Sequence, residues 1–386
     1  MCYTSHMIKT PQPQYNSKLT DIIIQLEYLR GRSVSGGTNQ QTFVQLKSLY
    51  HIIEALSSAR IEGNHTTLAS FVEKRASGQN EDESMREILN LMQALDFIDE
   101  HIADTPIDRD FVLELHRVVV KDLVREGDDR SGSFRNKDVS IANAAHTPPS
   151  HYDVADLMRE LFEYINDEAN SRDELLKIAL SHHRFVWVHP FGNGNGRTVR
   201  LLTYAMLCKK GYIEPNALRL FNPTAVFAGD RQKYYYMLER ADKGDDEGLL
   251  TWSEYFLGGI KNETEKTLKL ADSGFVNNKL LIPAINRLNS SGVLTSLESS
   301  IMERTVRKNT IKAGDIANLW DKTVGPSAVA NQIKKMRDTG YLVASKHGGR
   351  EYSINFIDNK LTRLVLDQME IEKLLPIRVD DLAGIS

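Results

Sequence analysis

The sequence predicts a mainly α-helical protein with one extended insertion and a smaller C-terminal unit. Three observations predict this. Apolar residues recur at spacings of three and four through most of positions 42–270, the mark of helices that bury one face. One stretch breaks the rhythm: Arg130 to Pro149, "RSGSFRNKDVSIANAAHTPP", rich in Gly, Ser, Asn and Pro with one alternating run. It reads as a hairpin or extended flap. From about position 278 the pattern changes again, to helix, turn, helix and hairpin.

In chain order, residues 1–40 form a polar N-terminal extension, apart from Asp21 to Leu29, which suits a short strand or a helix. A helix over Thr42 to Ser58 follows, because Phe43, Leu46, Tyr50, Ile53 and Leu56 make one apolar stripe. Further helices are expected over roughly 82–103, 108–125, 151–168, 172–187 and 196–210, the last ended by Gly211. Arg231 to Ala241 and Leu250 to about Leu270 complete a helical domain spanning 41–270. In the C-terminal unit, 278–386, Ile316, Leu319 and Trp320 are expected to pack against Val329, Ile333 and Met336. Two strands, Tyr341 to Ser345 and Glu351 to Phe356, join through His347-Gly348-Gly349. That order resembles a winged helix.

Composition excludes several classes. The hydrophobic and charged fractions, 41% and 26%, are those of an ordinary globular chain rather than a disordered one. Only Cys2 and Cys208 are present, so no disulfide framework is expected and a reducing cytoplasm fits. The N-terminal segment lacks the apolar core of a signal peptide, and no apolar run is long enough to span a membrane. The net charge is only −4, but Thr305 to Ile357 carries nine Lys and Arg against four Asp and Glu. Lys334, Lys335 and Arg337 fall on the second helix of the turn motif. Such a cluster is ordinarily a solvated face; the alternative is contact with DNA phosphates.

The chemistry concentrates in "HPFGNGNGRTVR", His189 to Arg200. Successive small residues before a helix let several N–H groups converge on one concavity, which the helix dipole makes positive. Arg197 and Arg200 lie three apart on one helix face, where they repel unless an anion sits between them. Together these suit a polyphosphate. His189 titrates near neutrality and can take a proton from an attacking hydroxyl. Phe191 is expected in the core, fixing where His189 points. This is neither a P-loop nor a dinucleotide fingerprint, because no Gly-Lys-Ser/Thr follows and the preceding element reads as a helix. His182 and His183 fall on different helix faces, so core and surface roles are expected rather than a metal site.

This stretch resembles the signature of the Fic family, His-x-Phe-x-Asp/Glu-Gly-Asn-Gly-Arg-x-x-Arg, matching all but one specified position. "GSFR" at 132–135, Pro148-Pro149 and "RQKYY" at 231–235 look like that family's surroundings, and the resemblance covers about 42–260. It implies a Fic-type helical bundle with a β-hairpin flap (about 135–149), and transfer of AMP from ATP to a Ser, Thr or Tyr hydroxyl of a target protein or of the chain itself. By position, His189 would be the general base. Gly194, Asn195 and Gly196 would cradle the phosphates, with Arg197 on the α/β and Arg200 on the γ phosphate. Tyr234 and Tyr235 resemble a pair near the nucleotide, one against the base and one in the core. Ala144, Ala145, His146 and Thr147 lie where the flap would align the target by strand addition. The departing position is Asn193: the family's acid there holds Mg²⁺, and a neutral amide would hold Mg²⁺ or Mn²⁺ weakly.

"SSARIEGN", 57–64, resembles the family's inhibitory motif, with Ser58, Glu62 and Gly63 at its key positions, on a helix of about 42–63. The resemblance implies that Glu62 pairs with Arg200 in place of the γ-phosphate. The expected function is therefore an autoinhibited protein adenylyltransferase, cytoplasmic, with a protein target as partner and a homodimer as a further expectation. The alternative is a catalytically weak nucleotide-binding regulator acting on DNA through the winged helix.

Overall fold

The computed structural model describes residues 8–31, 37–78, 81–141, 144–168, 173–214, 220, 222–320, 324–345 and 349–380. Cys2, His347 and Gly348 of the sequence reading lie outside them. The chain is a bundle of helices: α1 (Lys18–Gly31), α2 (Gln40–Ile61), α3 (Leu68–Ser77), α4 (Glu83–His101), α5 (Arg109–Val119), α6 (Val154–Asn166), α7 (Glu174–Val188), α8 (Asn195–Lys209), the one-turn α9 (Ala225–Ala228), α10 (Arg231–Ala241) and α11 (Asp246–Thr267). Among the described residues no helix is long and apolar enough to cross a membrane.

The ambiguous stretch Asp21 to Leu29 is helical, because Leu19, Ile22, Leu26 and Leu29 fall on one buried face of α1, which packs on α11. The central helix is α2. Asn39 caps it by accepting the Thr42 N–H, and Leu46, Leu49, Ile53 and Ala55 are wholly buried. It runs past Ser58, the end of its apolar stripe, to Ile61, within the 42–63 expected of the inhibitory helix, and so carries Glu62 to the helix's C-cap. Behind α7, the Trp252 indole of α11 is buried and donates to the Ala179 carbonyl.

The expected hairpin at 130–149 is not formed: none of its described residues, which exclude 142 and 143, belongs to a strand. The physical reason is local. Pro148 and Pro149 lack N–H donors, and the backbone finds partners other than a ladder. Asp128 accepts the Arg130 N–H, and the Arg135 guanidinium donates to the Lys137 and Pro149 carbonyls.

Beyond the one-turn α12 (Ser273–Phe275), a π-helical stretch, Val276–Leu281, feeds α13 (Ile282–Ser290). Then come α14 (Ser296–Lys308), the one-turn α15 (Ala313–Ile316), α16 (Pro326–Asp338), strands β1 (Leu342–Ala344) and β2 (Tyr352–Ile354), and α17 (Lys360–Ile371). The strands pair antiparallel with Val343 opposite Ser353. Ile316, Val329, Ile333 and Met336 are buried and Leu319 and Trp320 pack partly buried against the core. This region docks on the N-terminal half of α2: the Gln45 side chain donates to the Ile354 carbonyl and accepts the Phe356 N–H. On α16, Lys335 is committed to Glu298 at 2.7 Å, while Lys334 and Arg337 are exposed.

Candidate active site

His189 caps the C-terminus of α7 and takes the left-handed conformation, φ 52° and ψ 61°, which non-glycine residues seldom occupy. Phe191 is fully buried, its ring stacked on His116 at 3.7 Å between centroids. His116 is held from both ends: Nδ1 accepts the Gly132 N–H and Nε2 donates to the Asn193 carbonyl. Burial pushes its pKa down to about 4, consistent with a neutral ring that has one donor and one acceptor. The His189 pKa is also pushed down to about 4, first by burial and then by the Arg135 charge and His146. A backbone hydrogen bond to Val186 opposes this fall without reversing it. At neutral pH the ring is thus an unprotonated base.

The loop is braced by its own side chains. Asn195 pairs with both backbone groups of Phe191, each at 2.9 Å. Asp128 accepts the N–H groups of Gly192 and Asn193 at 3.0 and 3.1 Å. Gly194, at φ 76°, then turns the chain into α8, whose first N–H groups have no partner within the helix. A Cβ on Gly196 would stand 2.1 Å from Glu62 Oε1. Glycine at 196 is therefore what lets a carboxylate enter the concavity.

That carboxylate is bound to Arg200. Arg200, on the buried face of α8, donates from Nη2 to Glu62 Oε1 at 2.7 Å and to the Ser58 carbonyl at 3.0 Å, and from Nε to Ser58 Oγ at 2.9 Å. Burial alone would push the Glu62 carboxyl up, but the charge and hydrogen bond of Arg200, with Arg197 and Arg231, hold it below its ordinary range. Gly63, at φ 98°, makes the turn that ends the segment. Arg197 is buried against Glu87 at 2.7 Å, with the Glu126 carbonyl at 3.0 Å and the Glu126 carboxylate at 3.5 Å. A buried cation needs such a counter-charge.

Residues 106–207 match the family described as Fic/DOC. They form a Fic/DOC domain. A curated relative, protein adenylyltransferase Fic of Drosophila grimshawi, is 33% identical over 254 residues, 64% of this chain and 48% of its own length. The same-named protein of Drosophila willistoni is 34% identical over 220 residues, 55% of this chain and 40% of its own. The chain thus spans about half the length or less of the curated relatives it matches. A solved Fic family protein from Desulfovibrio desulfuricans G20 shares the fold, with a TM-score of 0.55 at 17% identity over 90% of this chain and 98% of that one.

Around the Fic signature, the two tyrosines separate. Tyr234 is buried, its hydroxyl 2.8 Å from His182 Nε2, whereas Tyr235 is exposed with the Arg231 guanidinium over its ring. His182 and His183 are both buried, His182 also bonding Thr203 and His183 bonding Asp242; the surface role expected for one of them is corrected. In the flap, Ala144, Ala145 and Thr147 are exposed, while His146 turns inward to the Trp187 carbonyl at 2.8 Å. Asn193 faces the loop itself: Oδ1 accepts from Gly194 N–H at 2.7 Å and Arg197 at 3.4 Å, and Nδ2 donates to the Gly127 carbonyl.

Sequence reasoning missed Glu87, Asp128 and His116, and quoted Arg135 only within "GSFR", without a role. Glu87 and Asn90 are polar yet buried three apart on α4, and that spacing on an apolar face was the available signal. A second missed cluster joins α2 to α4: His51 lies 3.1 Å from both Asp96 and Asp99, and Lys47 pairs with Asp99. The lysine supplies the cation that a metal would otherwise provide.

Proposed function

We propose that this chain is a protein adenylyltransferase that transfers AMP from ATP to a Ser, Thr or Tyr hydroxyl, and that Glu62 holds it inactive. One observation carries the reading: a neutral His189 imidazole stands beside a glycine-rich helix N-terminus whose Arg200 is already gripping an anion, the Glu62 carboxylate. The N-terminus and Arg200 suit a triphosphate as they suit that carboxylate. In the reaction, the target oxygen forms a bond to the α-phosphorus as the bond to the bridging α–β oxygen breaks. The hydroxyl proton passes to the His189 ring and pyrophosphate leaves. Orientation by the loop and charge stabilisation supply most of the rate in such displacements. Glu62 occupies the place of the γ-phosphate, so bound ATP would lie in an unproductive pose.

The names of the relatives support the same reading. Exposed backbone at Ala144, Ala145 and Thr147 suits a target strand laid along the flap. Tyr235, exposed beside Arg231, suits the adenine base, with Tyr234 as its buried support. The residues do not fit a metal site at position 193: the Asn193 oxygen is neutral and already accepts two donors, and a hard cation prefers charged oxygens. Incubation of the native and Glu62→Gly proteins with labelled ATP tests the proposal. AMP adducts found by mass spectrometry on Glu62→Gly, and abolished by adding His189→Ala, are expected. Equal incorporation with and without His189 would overturn it.

A further inference from the structure

Arg135 is the one arginine of the flap that is buried, and its guanidinium faces carbonyls rather than acids. Nε donates to the His189 carbonyl at 2.8 Å. Nη1 donates to the Lys137 carbonyl at 3.0 Å, and Nη2 to the Pro149 carbonyl at 2.5 Å and the Val188 carbonyl at 3.5 Å. Its backbone N–H donates to the Pro190 carbonyl at 2.9 Å. The nearest carboxylate, Asp138, is 3.7 Å away and largely exposed. Four of the five guanidinium N–H groups are thus spent on backbone, so Arg135 has little left with which to bind a phosphate.

The placement of those carbonyls is informative. Val188 and His189 are the last turn and the left-handed cap of α7, where helix carbonyls lack intrahelical partners. Lys137 and Pro149 are the two feet of the flap. One planar group therefore ties both feet of the target-facing segment to the residue that carries the base. A lysine at this position has three donors but no fork that spans four diverging carbonyls. His146 adds a second tie nearby, from the flap to the Trp187 carbonyl.

We propose that Arg135 is a positioning residue that holds His189 in its left-handed conformation and sets the flap against it as one unit. The inference rests on the reading of His189 as the base and deepens it. Two measurements test it, one independent of transfer. In the Glu62→Gly background, Arg135→Gln is expected to lower AMP incorporation at saturating ATP by at least about tenfold, with ATP affinity by calorimetry changed less than about twofold. Arg135→Lys should remain impaired, and added guanidinium ion should partly restore Arg135→Ala. A parallel fall in rate and ATP affinity, or an unchanged rate, would overturn the proposal.

Independently, amide exchange in Arg135→Gln should accelerate together in residues 137–141, 144–147 and 189–194, and stay unchanged in α4 and α11. Faster exchange everywhere would mean a general loss of stability and would equally overturn it. If Glu62→Gly shows no incorporation while the paired exchange response is present, the transfer reading fails and the positioning role stands.

Discussion

Arg197 and Arg200 leave one turn of α8 three residues apart, each with a glutamate oxygen at 2.7 Å, yet the carboxyls of their partners are shifted in opposite directions. Burial pushes the Glu87 carboxyl up, and Arg197 and Asn64 only partly offset this, because Glu126 and Glu62 add repulsion. Burial acts on Glu62 as well, but the surrounding arginines outweigh it and hold that carboxyl down. The side chains differ in exposure, 4% for Glu87 and 27% for Glu62. One cation is thus shared between two acids, Glu87 and Glu126, while the other grips one acid at a partly exposed helix end. The first pair joins α4 to α8 as part of the frame. The second is the contact that, on the proposed function, a polyanion would replace.

Removing each glutamate should expose that difference most strongly. Glu87→Ala leaves Arg197 buried with only the Glu126 carboxylate at 3.5 Å to compensate. An uncompensated buried charge is costly, so a loss of about 3 kcal/mol in urea unfolding is expected. Glu62→Gly should instead change function: AMP incorporation rises at least about tenfold, the size of a typical coupling between two states. A Glu87→Ala protein that is fully stable and fully active on ATP would erase the distinction.

The loop itself was legible because its chemistry is local. Glycines, a histidine and two arginines three apart sit within twelve positions, and their spacing alone predicts an anion site. The helices were legible for the same reason, through stripes such as Phe43, Leu46, Tyr50 and Ile53 on α2. Glu87 was not, because its partner lies 110 residues away and nothing in its own neighbourhood states the pairing. Of the two readings of 130–149, hairpin and extended flap, the hairpin fails: Val139 and Ile141 alternate with polar residues as in a strand, but the pattern cannot show that Arg135 takes up the nearby carbonyls. Asn193 was read as a weakened metal ligand, whereas its amide is absorbed by Gly127, Gly194 and Arg197.

Acid sharpens the comparison with opposite signs. The depressed Glu62 carboxyl contributes stability above its ordinary pKa that is lost as pH falls through the lower folded value. The raised Glu87 carboxyl does the reverse: its ionisation costs stability as pH rises through the folded value. The stability of the native chain relative to Glu62→Gln should therefore shrink with acidification below the ordinary carboxylate range. The same difference for Glu87→Gln should grow in favour of the native chain as Glu87 is neutralised. Denaturant titrations from pH 7 downward measure both, and slopes of one sign would contradict the assignment.

The smallest expected effect concerns Ser58, which is buried and gives Arg200 two acceptors, Oγ and the carbonyl oxygen. Ser58→Ala removes only Oγ. Arg200 keeps the carbonyl and Glu62, so the lock weakens without opening. One buried, charge-assisted hydrogen bond lost in this way is worth about 1–2 kcal/mol. Transfer should rise, but less than in Glu62→Gly, and the double variant should match Glu62→Gly alone because both act on one contact. Additive gains in the double variant would mean that Ser58 restrains Arg200 independently of the glutamate.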